Sequence, residues 1–106
     1  MEIPKHLQDL VLAEANLEKD GLEAFRRGEY VRCVQIMNKV VDRERDNWQA
    51  RLYLAMSHFS IGEIFMGTMH FRYLEQNCPD EDVRAKSRGA LTSVERDSPK
   101  ARRATS

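Results

Sequence analysis

Apolar residues return at three- and four-residue steps through most of this chain, and where the rhythm lapses a glycine, a proline or a capping residue stands. Pro4 suits a first helical position, and Leu7, Leu10, Val11 and Leu17 follow at helical spacing, which predicts a helix over residues 5–27. Gly28-Glu29 breaks it. A second helix from Tyr30 to Asp42 carries Cys33, Val34, Met37, Val40 and Val41 on one side, so the two should close as a hairpin. Asp46-Asn47 offers an N-cap for a third helix from Trp48 to Ile61, and Gly62 opens the turn into a fourth from Glu63 to Asn77. Pro79 stops that one, and Pro79-Asp80 starts a fifth that runs through Val94. Beyond it Ser98, Pro99 and a mixed basic run show no apolar periodicity. The division expected is a helical domain over 1–94 and a disordered basic tail over 95–106.

The helices are not independent of one another. Gly28-Glu29-Tyr30 recurs thirty-four positions later as Gly62-Glu63-Ile64, Phe25 falls on Phe59, and the small residues Gly21, Ala55 and Gly89 form a ladder at the same spacing. A period of this length marks stacked helix–turn–helix units, each too small to bury its own apolar face, so that neighbours must stack to make a core.

Composition narrows the function. The chain has 106 residues, 42% of them hydrophobic and 32% charged, enough for one small core. Lys plus Arg balance Asp plus Glu at 17 each, without the basic excess of a dedicated nucleic-acid binder. No apolar run approaches the roughly 18 residues that span a bilayer, and the start lacks the pattern of a signal peptide, so a cytoplasmic location is expected. Cys33 and Cys78 have neither CxxC spacing nor a histidine at ligand spacing and are expected as reduced thiols. His6, His58 and His70 are scattered, and no nucleophile motif, phosphate cradle or HExxH is present. No enzyme activity, cofactor or metal is expected.

The spacing of small and large residues resembles the tetratricopeptide repeat family, whose pattern is W-x2-L-G-x2-Y, then A-x3-F, then P. In the second unit Leu54-Ala55-x2-His58, Gly67-x3-Phe71 and Pro79 stand in those slots. In the first, Gly21-x2-Ala24 and Cys33-x3-Met37 keep the small and large slots, while Asp20 and Arg45 depart from the family's Leu and Pro. The resemblance covers residues 14–94, about two and a half units. It implies an all-α, right-handed helical repeat of antiparallel hairpins with the fifth helix as C-terminal cap. It also implies a concave groove for a peptide or partner helix, which by register is formed by Glu18, Leu22, Phe25, Arg26, Leu52, Tyr53, Met56 and Phe59. Subfamilies that clamp acidic chaperone tails place Lys and Asn where this chain has Glu18 and Leu22, so a preference for apolar ligands is expected. The same stripe also suits core packing.

A second feature lies on the convex side. The first unit's outward Arg32, Gln35 and Lys39 become Met66, Met69 and Tyr73 one repeat later, with Phe65 nearby. These share a face that the repeat geometry leaves in water, and Met with aromatic residues is a composition enriched in interfaces. A partner, a second copy of the chain, or the chain's own N-terminal segment (Ile3, Leu7, Leu10) or fifth helix should cover it. The tail places Arg102 and Arg103 before Thr105, as in a basophilic kinase site, though such short strings also arise by chance. The function expected is that of a non-enzymatic interaction module or scaffold subunit, a homo-oligomer or part of a larger complex. The alternatives are a dedicated chaperone or adaptor for one client, and a basic-tail tether to nucleic acid or anionic membrane.

Overall fold

Five helices follow one another in the computed structural model, which describes the backbone of residues 4–97 and the side chains of 4, 5 and 16–96. They are α1 (Lys5–Arg26), α2 (Tyr30–Arg43), α3 (Trp48–Ser60), α4 (Ile64–Asn77) and α5 (Glu81–Asp97). No strand occurs among the described residues, and the fold class is all-α. α5 runs past Val94 into the segment expected to be disordered; Val94 is still half-buried, and Glu95 and Arg96 are good helix formers. Thr105 and the basic run around it lie outside the described residues, as do Ile3 and the side chains of Leu7 and Leu10.

The two hairpin turns are copies of each other at the level of hydrogen bonds. Gly28 and Gly62 adopt φ of 77° and 84°, the left-handed region that a β-carbon disfavours. In the first turn the Gly28 amide donates to Phe25 O and the Glu29 amide to Ala24 O; in the second the Gly62 amide donates to Phe59 O and the Glu63 amide to His58 O. Each is a Schellman closure, in which the reversed glycine lets the chain satisfy the last carbonyls of one helix before starting the next. The later elements are capped differently. Asn47 Oδ1 accepts from the Ala50 amide at 3.0 Å and starts α3. Cys78 is held extended before Pro79, and Asp80 Oδ1 accepts from the Asp82 amide to start α5.

Consecutive helices pack pairwise along the chain, α1 also touches α3, and α3 also touches α5, whereas among the described residues α2 and α4 do not meet. The odd helices therefore converge on one side and the even ones splay on the other, as in a curved stack of hairpins. Burial divides into two clusters. One joins Cys33, Met37, Val40 and Val41 of α2 with Ala50 and Leu54 of α3; the other joins Leu52 and Ala55 of α3 with Phe71, Leu74 and Val83. α3 contributes to both. Of the small-residue ladder, Gly21 and Ala55 are buried, while Gly89 faces open space, since among the described residues no further helix packs on α5.

Close approach needs glycine at two further places. A Cβ on Gly67 would lie 2.1 Å from Phe59 Cδ1, and one on Gly21 would lie 2.8 Å from Met37 Cε. The Phe59 ring is fixed edge-on to Phe71, with centroids 4.9 Å apart, whereas the Met37 tip is flexible. Gly67→Ala is therefore expected to destabilise the fold by about 1–3 kcal/mol and Gly21→Ala by clearly less. Urea unfolding of the two variants checks this, and equal losses would show that the aromatic pair yields as easily as the methionine.

Candidate functional site

α4 presents its apolar residues on both sides. Phe71 and Leu74 point inward, with Gly67 between α4 and Phe59. On the outward side Phe65 is 76% exposed, Met69 51%, and Met66 and Tyr73 each 39%. A helix that buried only one stripe would carry polar groups at those positions, as α2 does at three of the four with Arg32, Gln35 and Lys39. The face is continuous over about two turns, since Phe65 and Tyr73 are eight residues, roughly 12 Å, apart along the axis. α5 does not cover it, because Val83 and Leu91 pack into the cluster with Phe71 and Leu74. Among the described residues α1 does not reach α4. Two further exposed apolar residues lie outside the sequence-predicted patch, Ile64 and Val31. Val31 stands one repeat before Phe65, so the thirty-four-residue register held the signal for it.

Behind this face runs a chain of polar and aromatic groups between α3 and α4. His58 is 4% exposed, and its Nδ1 lies 3.1 Å from Glu63 Oε1, so the imidazole donates and the carboxylate accepts. Its Nε2 is buried with no hydrogen-bond partner among the described residues. The ring stacks on His70 at 5.6 Å. His70 Nδ1 makes a long contact of 3.4 Å with Arg51 Nη1; a guanidinium only donates, so His70 accepts there and carries its proton on Nε2. Arg51 lies over the Tyr73 ring, 4.2 Å from its centroid, and Tyr73 in turn stacks at a tilt on Trp48. Tyr73 is thus shared between the outward face and this internal chain, and Met66, Met69 and Phe65 are the freer members of the face. Burial pulls the Arg51 guanidinium below its ordinary range, with nearby Arg45 adding to the effect and Tyr73 and Asp42 opposing it.

The concave reading needs correction. Leu52 is 2% exposed and packs among Ala55, Phe71, Leu74 and Val83, so it lines no groove. α5 docks against α3 and α4 there and turns a wall position into core. Phe25 is held edge-on by Tyr30 and Tyr53 at centroid distances of 5.5 and 4.9 Å, and Phe59 by Phe71, so the two rings serve separate clusters. Met56 and Tyr53 are half-buried against those clusters. Glu18, Leu22 and Arg26 do line an open cleft, but with Lys19, Glu23 and Arg27 as neighbours it is a charged surface along α1 and not an apolar wall.

Other chemistry finds little support among the described residues. No group of three His, Cys, Asp or Glu is placed to hold a metal ion, and no helix is long and apolar enough to cross a membrane. Cys33 and Cys78 are both free and buried, and burial pushes the Cys33 thiol up against a smaller lowering effect of Ser57. No family model, curated protein or solved structure matches the chain. The functional reading therefore rests on the geometry of the faces.

His70 gives that geometry a measurable consequence. Burial, then Arg51, then His58 lower its pKa from 6.5 to about 4 in the folded chain. As pH falls the unfolded chain takes up this proton first, so the contribution is intact above about 6.5 and is lost progressively down to about 4, by at most about 3 kcal/mol. Urea midpoints at pH 7, 5.5 and 4.5 should fall for the native chain and fall less for His70→Gln. Parallel curves would show that His70 is not held neutral.

Proposed function

We propose that this chain is a non-enzymatic protein-interaction module built from tetratricopeptide-like helix hairpins, and that it docks a partner protein on the outward face of α4. The observation that carries the reading is the exposure of Phe65 and Met69 in one continuous face with Met66 and Tyr73. Monomeric proteins seldom leave such a contiguous apolar patch in water, and flexible methionines with an aromatic anchor adapt well to a partner's side chains. The turns and the core below the patch hold α4 in place, so the surface is preformed and little ordering opposes binding. Placing the chain in a scaffold or adaptor of a larger assembly follows from this docking role.

The direct experiment substitutes the two residues that touch least. Phe65→Lys combined with Met69→Lys should leave helicity unchanged and stability within about 0.5 kcal/mol, because surface substitutions away from packed features are nearly neutral. Capture of partners from the native source should be lost, since two charges would be buried unpaired in the contact. Undiminished capture by the double variant, with the same proteins recovered, would rule out this face as the docking site.

A further inference from the structure

The outward face of α4 is apolar and has an arginine on each flank, while the acidic residues of this helix and its cap are Glu75, which is half-buried, and Glu63. Among the side chains exposed on α4, Arg72 alone is charged, and it stands one turn beyond Met69. On the other side Arg51 lies against Tyr73 with its Nε buried and without a hydrogen-bond partner, and its Nη1 has only the long contact to His70. Neither arginine forms an ion pair with a carboxylate among the described residues. Asp42 of α2 attracts Arg51 without pairing with it. Glu63, at the start of α4, is taken by His58. On α2, Arg32 and Lys39 are exposed one repeat before Met66 and Tyr73, and of the two Arg32 is the one with an acidic neighbour, Glu29.

A guanidinium partly stripped of water, stacked on an aromatic ring and lacking a carboxylate has its strongest possible interaction unmade. Its planar fork matches two oxygens of one carboxylate, and the stacking fixes the plane in advance. We infer that the α4 face receives an acidic amphipathic helix from a partner protein. This rests on the docking reading above and adds the partner's chemistry. Apolar side chains at i, i+3 or i+4, and i+7 of the partner lie over Phe65, Met66 and Met69, matching the two-turn length of the patch. An Asp or Glu on one flank of that stripe reaches Arg51, and one on the other flank reaches Arg72. A second copy of the chain is a poorer occupant: a two-fold contact sets the same patch against itself and brings the arginines together. An anionic lipid surface shares the sign of charge, but it reads cations that stand out in water, and Arg51 is half-buried behind Tyr73.

Two fluorescently labelled helical peptides of about 18 residues test this on the full chain by anisotropy, alongside phosphatidylserine vesicles. Both peptides carry the same leucine stripe; one is flanked by glutamates and the other by lysines. The glutamate peptide should bind at least about tenfold more tightly at low salt, with the gap narrowing as salt is added. Arg51→Gln and Arg72→Gln should each weaken the glutamate peptide about three- to tenfold and leave the lysine peptide unchanged, while Arg51→Lys retains part of the preference. Arg72 is exposed, so its variant remains informative even if Arg51→Gln perturbs folding. Equal binding of both peptides, lost in the Phe65→Lys, Met69→Lys variant but untouched by the arginine variants, would overturn the acidic partner and leave the docking face standing. Binding of neither peptide would overturn both, and vesicle binding without peptide binding would make the face a lipid contact instead.

Discussion

The accommodation of α3 is the constraint on which the rest depends. Thirteen residues from Trp48 to Ser60 must pack against α2 on one side and α4 on another, with α1 and α5 closing in. Such a helix has no solvated face to spare, and Ala50, Leu52, Leu54, Ala55, Ser57 and His58 are all buried. Neither hairpin could bury its apolar side without it, because α3 supplies Ala50 and Leu54 to one cluster and Leu52 and Ala55 to the other. The same crowding explains Gly67, since Phe59 needs the space that a side chain on α4 would fill. It also explains why Arg51 and His58 carry buried nitrogens: they are polar residues on a helix with neighbours all round.

The order of elements and the repeat were legible because they rest on local rules. Positive-φ glycines, an Asn cap, a proline stop and helical spacing each leave a mark in the sequence, and Gly28 and Gly62 build identical turns at the spacing read from the chain. The outward exposure of Met66, Met69 and Phe65 was legible for the same reason, since register fixes which side of a helix a residue occupies. Register does not say what covers that side. Leu52 was placed on a wall and lies in the core, because the decision belonged to α5, which begins only after two further turns of chain. Tyr73 is outward by register, yet part of its surface is taken by Trp48 and Arg51 through contacts between helices that periodicity does not encode.

The stacked His58–His70 pair belongs to that second kind of information. The two residues stand on different helices, and nothing in their spacing announces a contact. Once they meet, the protonation pattern is tightly constrained. Glu63 holds the proton of His58 on Nδ1, Arg51 denies His70 a proton on Nδ1, and Arg51 and His58 both discourage a charge on His70. The turn places no conformational demand on the side chain of Glu63. Its carboxylate serves instead to orient a core imidazole.

The two ends of the stack show where a partner does not add. On α3 the positions that meet α2 include Ala50, Tyr53, Leu54 and Ser57; one repeat earlier, on α1, the same positions are Asn16, Lys19, Asp20 and Glu23, all exposed. A further hairpin stacked there would bury polar and charged groups that now lie in water, and Glu23 already pairs with Arg27. At the other end the positions by which α3 meets α4, such as Leu52, Ala55 and Phe59, become Lys86, Gly89 and Ser93 on α5, again exposed. Terminal units of helical arrays are polar on their outer faces for this reason. Growth of the stack along its axis is therefore disfavoured at both ends. Among the described residues the continuous apolar face lies on its flank, along α4, where an added helix would run beside the array without extending it.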